Sequence, residues 1–136
     1  MFNIVIFPID QTRESRDAAE TVANVVQTYN SKLYILSVVE KPTPGEATEV
    51  TPMNSAENVE KLLQGAKAMF AQKGIQAEVI EKEGVPAFVI CDVADELKAN
   101  LIVMGCRGLG LTEEGLSESV TNRVINLSPC PVLIVP

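Results

Sequence analysis

The 136 residues of this chain amount to about one domain, and 46% of them are hydrophobic, which is enough to form a buried core. Eleven basic residues stand against eighteen acidic ones, so the net charge of −7 argues against nonspecific binding to nucleic acids or anionic membranes. The sequence contains no histidine, which excludes His-ligated zinc and Ser-His or Cys-His nucleophile pairs. The negative net charge does not exclude a small anionic ligand, because helix N-termini bind anions at any net charge.

Cysteine usage and hydropathy predict the compartment. The three cysteines, Cys91, Cys106 and Cys130, form no C-x-x-C pair, and their odd number favours reduced thiols. No apolar run approaches the roughly 18 residues that a membrane span needs. The first residues have the pattern of a strand and lack the basic region of a signal peptide. We therefore expect a cytoplasmic protein without membrane contacts.

Short β-branched runs alternate with amphipathic stretches along the whole chain. The apolar runs predict five strands, at residues 3–9, 33–39, 76–81, 101–104 and 132–135. Helical spacing predicts four helices with these inner stripes: Ala18, Val22, Val25, Val26 and Tyr29; Val59, Leu62, Leu63, Ala66, Met69 and Phe70; Ile90, Val93, Ala94 and Leu97; and Val120, Val124 and Ile125. Right-handed crossovers then predict one α/β domain over residues 1–136, a parallel sheet with helices on both faces.

Turn and capping residues mark the ends of these helices. Asn54 and Glu57 have the spacing of a capping box before the second helix, and Gly74 stands where a C′ glycine would end it. Pro86 suits the first turn of the third helix.

Two strand ends carry candidate functional residues. Asp10 follows the first strand, where an aspartate either caps a helix or accepts hydrogen bonds from a ribose. Gly105, Gly108 and Gly110 follow the fourth strand, where glycines let backbone N–H groups approach a phosphate. Taken alone, a capping aspartate and a plain flexible loop explain these features better than a binding site does.

The combined pattern is more specific than its parts. Gly105-x-x-Gly108, followed after nine residues by Glu118-Ser119 and then Val-Thr, resembles the nucleotide motif of the universal stress protein family, G-x2-G-x9-G-[ST]. The resemblance extends to residues 8–10, 84–86, 101–105 and 119–135, and so covers nearly the whole chain.

This resemblance implies a Rossmann-like sheet with strand order 3-2-1-4-5, which brings Asp10 and Gly105 to one crevice between the first and fourth strands. It also implies an adenine nucleotide there (AMP, ADP or ATP), with Asp10 on the ribose and the backbone of Val38 at the adenine. The implied binding residues are Pro8, Asp10, Val38, Met104, Gly105, Arg107, Gly108, Ser119, Val120 and Thr121. They include no metal ligand, so Mg²⁺ is expected only with a polyphosphate.

One position departs from the family pattern. After Gly108 and nine further residues, the motif has glycine where this sequence has Glu118. The adenosine half of the site is unaffected by this difference. The sequence therefore predicts that AMP or ADP is preferred to ATP.

We thus expect a small regulatory module of the stress response that binds an adenine nucleotide and is not an enzyme. Two alternatives stay open: a dimeric scaffold that binds no nucleotide and acts through protein partners, and a slow ATPase. The apolar last strand, at the sheet edge by the family's order, predicts a homodimer through residues 132–135.

Overall fold

The computed structural model describes residues 2–9, 13–40, 56–105 and 120–136. In these ranges the elements are β1 (Ile4–Pro8), α1 (Arg13–Tyr29), β2 (Lys32–Glu40), α2 (Ala56–Gln72), β3 (Ala77–Gly84), α3 (Pro86–Glu96), β4 (Leu101–Gly105), α4 (Val120–Leu127) and β5 (Val132–Val135). The strands form one parallel sheet in the order β3-β2-β1-β4-β5. The predicted α/β class and the strand order implied by the resemblance are both confirmed.

The sheet separates two hydrophobic cores. Successive side chains of a strand point to opposite faces, so Phe7 and Ile35 pack with α1 and α2, whereas Ile6 and Leu36 pack with α3 and α4. Because helices cover both faces, the inner strands are apolar at consecutive positions rather than at alternate ones.

Most residues of the predicted helix stripes are buried, among them Phe70 and Val124. Tyr29, Val120 and Ile125 depart from the prediction, because they are 43%, 37% and 51% exposed. Tyr29 is the last residue of α1, and its ring packs edge to face on Phe2 with the centroids 5.1 Å apart. In the short helix α4, Val124 is the residue buried against the sheet, and its neighbour Ile125 is not part of that hydrophobic core.

Glycines end α2 and β3. Gly74 has a φ of +77°, which agrees with its predicted role after the second helix. β3 continues to Gly84, beyond the predicted end at residue 81, because its pairing with β2 runs on to Glu40. Gly84 has a φ of +147°, and a Cβ there would lie 2.9 Å from Cγ2 of Val89. Only glycine therefore fits this turn, from which α3 begins at Pro86.

Candidate functional site

The carboxyl ends of β1 and β4 lie side by side where the winding of the sheet reverses direction, the place at which such sheets bind ligands. β1 pairs with β2 as far as Pro8 and Leu36. Its pairing with β4 stops at Ile6 and Ile102, before either strand has ended. The two strand ends therefore border a crevice in which they are not hydrogen-bonded to each other.

Pro8 explains why the pairing stops. The backbone N–H of Ile9 donates to the carbonyl oxygen of Leu36 at 2.8 Å, so Ile9 faces β2. Backbone groups alternate in direction along a strand, and Pro8 consequently faces β4. The next bond of the β1–β4 ladder needs an N–H at this position, which proline lacks.

The apolar floor of the crevice comes from three neighbouring strands. Val38 and Met104 belong to the core on the α3 and α4 face, where Met104 is buried and Val38 is half-buried. By alternation, Pro8 lies on the same face as Ile6. Apolar residues with a few polar groups around them are typical of small-ligand sites, and this floor suits the flat face of a nucleobase.

The N-terminus of α4 lies at the same edge of the sheet. α4 ends at Leu127 and only residues 128–131 separate it from the start of β5, so the helix runs antiparallel to the strands. Its first residues, Val120 and Thr121, therefore stand at the carboxyl edge. The N–H groups of a first helical turn have no partner inside the helix and, with the helix dipole, favour an anion.

Some predicted binding residues lie outside the described part of the chain: Asp10, Arg107, Gly108 and Ser119. The same applies to Cys106, to Glu118 and to Asn54 of the predicted capping box. Described residues are next to two of these positions in the sequence: Ile9 precedes Asp10, and Gly105, the last residue of β4, precedes Cys106. The described binding residues all lie at the carboxyl edge of the sheet or at the start of α4: Pro8, Val38, Met104, Gly105, Val120 and Thr121.

Ser37, which precedes Val38, is a polar residue of β2 with no predicted role. Among the described residues it is the buried polar one, with 3% of its surface exposed. A hydroxyl within the otherwise apolar run of β2 was the signal that could have drawn attention to it. By alternation its side chain points to the α1 and α2 face, opposite to that of Val38.

The described cysteines, Cys91 in α3 and Cys130 before β5, are free thiols. Burial raises the pKa of Cys91, and the charge of Asp92 and the neighbouring Cys130 raise it further. Burial also raises the pKa of Cys130, against the hydrogen bond from Ser128, which lowers it. Neither thiol thus has the lowered pKa of a catalytic nucleophile.

The described ranges give no indication of a metal site or of a membrane-spanning helix. They contain no group of three or more Cys, Asp or Glu side chains placed to hold a metal ion. Nor does any helix within them have the length and apolar character required to cross a bilayer.

Comparisons with known proteins agree with this geometry. A model of the universal stress protein family matches residues 1–136. A universal stress protein of Synechocystis sp. is 60% identical over 100% of this chain and 87% of its own length. Another, from Bacillus subtilis, is 33% identical over 99% of both chains. A solved universal stress protein in complex with cAMP has a TM-score of 0.78 at 25% identity, covering 98% of this chain and 97% of the other.

Proposed function

The chain belongs to the universal stress protein family, and from this premise we propose that it is a small regulatory module that binds an adenine nucleotide. The nucleotide occupies the crevice between β1 and β4. The observation that carries the proposal is the break in pairing at Pro8, which leaves the two strand ends open at the switch point. The relative in complex with cAMP supports the same ligand class.

In this proposal each part of the nucleotide meets a different part of the site. The base lies on the apolar floor formed by Pro8, Val38 and Met104. Asp10 accepts a hydrogen bond from the ribose. The phosphate lies at the N-terminus of α4, near Thr121, where backbone N–H groups and the helix dipole stabilise its charge.

AMP or ADP is the preferred ligand, because Glu118 replaces the motif glycine beside the outer phosphates. Mg²⁺ enters only with a polyphosphate. We propose no catalytic turnover, since the chain has no histidine to serve as a general base and its glycine loop lacks the Lys-Ser/Thr of a Walker motif. By binding the nucleotide, the protein reports on energy or stress.

A homodimer through β5 is the second element of the proposal. β5 is an edge strand. The carbonyl of Pro131 accepts a hydrogen bond from Ile102, so alternation turns the backbone groups of Val132 and Ile134 to the outer edge. An exposed apolar edge of this kind favours antiparallel pairing with a second copy. The free thiols of Cys91 and Cys130 support a reducing, cytoplasmic location.

The test begins with mass spectrometry of the natively purified protein, in which we expect co-purified AMP or ADP. Calorimetric titration of AMP then compares the parent with Asp10→Ala, which loses about 1.5–3 kcal/mol of binding free energy, as for a hydrogen bond to a charged group. Asp95→Ala is the matched control, because Asp95 is an exposed carboxylate in the last turn of α3, at the other edge of the sheet.

Each alternative has its own outcome. If the parent binds no nucleotide, the protein is a scaffold of this fold and the proposal is wrong. If ATP is converted to ADP in proportion to protein and Asp10→Ala abolishes the conversion, the protein is a slow ATPase. Equal AMP affinity in the parent and in Asp10→Ala would indicate that Asp10 caps a helix and does not bind the ribose.

A further inference from the structure

Among the described residues, nothing explains why position 65, in the middle of α2, is glycine. Unlike Gly74 and Gly84 it does not have a positive φ, and a Cβ there would meet no described atom within 4 Å outside the backbone of its own helix. Glycine inside a helix costs about 1 kcal/mol relative to alanine. The conformation and packing of the described chain therefore leave this cost unexplained, and they leave an open space beside the residue.

That space is part of a cavity of about 320 Å³ between α1 and α2. Phe7 of β1 and Ile9, which follows β1, form its floor, and Ala19, Leu62, Ala66 and Met69 form most of its walls. We call it the α1–α2 groove. Its volume is at the lower end of the range for small-molecule sites, and such sites are mostly apolar.

Among the described residues, the charged ones that line the groove are both cations, Arg16 and Lys61, in a chain whose net charge is −7. Both are exposed, as expected for positions at the mouth of a groove. Lys61 also takes part in an interaction within the chain. From Lys61 to Met69 the groove follows α2 for about 12 Å, at a rise of 1.5 Å per residue.

The groove is separate from the nucleotide crevice. Phe7 and Ile9 point to the face of the sheet that carries α1 and α2. Val38 and Met104, which line the crevice, point to the opposite face. A ligand in the groove would therefore lie across the sheet from the proposed nucleotide base.

We propose that the α1–α2 groove binds an amphipathic anion, namely an acyl carboxylate of medium chain length. The carboxylate lies between Arg16 and Lys61, and the acyl chain lies against Gly65 and runs toward Met69. The apolar walls favour burial of the methylene groups, and the two cations select an acid over a neutral lipid of the same length. This site is independent of nucleotide binding.

The experiment is calorimetric titration of decanoate into the parent and three variants. The parent binds decanoate saturably, with one molecule per chain. Gly65→Leu fills the groove and weakens binding by about tenfold or more, while its better helix propensity preserves folding. Gly65→Ala is the matched control, since it gains the same propensity with a single methyl group and keeps its affinity within about threefold. Arg16→Gln weakens decanoate binding by about fivefold and leaves decanol binding unchanged.

Melting curves verify that all variants are folded, and AMP titration verifies that the nucleotide site is unaffected. The proposal is overturned if decanoate does not saturate, or if the parent and Gly65→Leu bind it equally. Equal affinity for decanol and decanoate in the parent would contradict the carboxylate assignment. Loss of AMP binding in a folded Gly65→Leu would contradict the independence of the two sites.

Discussion

The hydrogen bond from the N–H of Ile9 to the carbonyl of Leu36, 2.8 Å long, determines which strand Pro8 faces. It fixes Ile9 toward β2 and so turns Pro8 toward β4, where the absent N–H ends the ladder. One residue type at one position thus opens the crevice at the switch point of the sheet.

Replacing Pro8 with alanine should extend the β1–β4 ladder and weaken AMP binding. The new N–H can reach the carbonyl of Val103, the next in register, and a hydrogen bond contributes about 0.5–1.5 kcal/mol. That gain offsets the roughly 0.4–1 kcal/mol that proline contributes by restricting the unfolded chain. We expect an almost unchanged free energy of unfolding, a protected amide at position 8 in hydrogen exchange, and weaker AMP binding in calorimetry. An unprotected amide with unchanged AMP affinity would show that the crevice does not depend on Pro8.

The elements that could be predicted from sequence are those whose burial leaves a local pattern. β1 and β4 are covered on both faces, and their apolar runs located them closely. β3 was predicted to end at residue 81 because the next residues, Lys82 and Glu83, are exposed and charged on an edge strand. Only pairing with β2, which no local pattern encodes, holds them in the sheet.

The candidate site, too, could be predicted only in part. The resemblance implied the strand order and brought Gly105 beside the end of β1, and the sheet order confirms that neighbourhood. Periodicity alone does not order strands, because every inner strand has the same apolar pattern. The α1–α2 groove was not predicted, because the sequence shows that a helix contains a glycine but does not show the space beside it. That space depends on how far apart two helices pack.

The thiols of Cys91 and Cys130 should be alkylated slowly by iodoacetamide near neutral pH. Burial raises the pKa of each above its ordinary value of 9.0, so less of the reactive thiolate is present. The folded protein also holds these protons more tightly than the unfolded chain. Their contribution to stability is therefore complete below pH 9 and lost as the pH rises through the folded values.

Mass spectrometry of peptides after timed alkylation at several pH values measures the reactivity of each cysteine separately. Urea unfolding across the same pH range measures the stability. Alkylation at pH 7 as fast in the native protein as in urea would contradict the raised pKa values.

Leu133→Lys should convert the proposed homodimer into a monomer on sizing chromatography. Leu133 is 37% exposed at the middle of the edge strand. A two-fold axis through an antiparallel β5 pair brings the two copies of this residue close together, so two lysines would repel and desolvate there. Phe88→Lys is the control, because Phe88 is 54% exposed on α3 and its variant should stay dimeric. Elution of the parent and Leu133→Lys at the same volume would exclude this interface.

Glu118→Gly should strengthen ATP binding and leave AMP binding unchanged. Glycine at this motif position lets the backbone approach the phosphates, whereas glutamate adds bulk and a negative charge. Two unit charges about 4 Å apart at an effective dielectric constant of about 20 repel by about 4 kcal/mol, which exceeds the gain from one hydrogen bond. The N-terminus of α4 would stabilise the carboxylate itself, so Glu118 would compete with an outer phosphate for the same anion site.

The measurement is calorimetric titration of AMP, ADP and ATP into the parent, Glu118→Gly and the control Glu114→Gly, which makes the same charge change in the same segment. Repulsion of the outer phosphates predicts that the gain in affinity increases from AMP to ATP and is confined to Glu118→Gly. A gain of the same size in Glu118→Gly and Glu114→Gly would indicate a general effect of net charge, which acts over about 10 Å at moderate salt. Equal ATP affinity in the parent and Glu118→Gly would show that this carboxylate does not reach the phosphates.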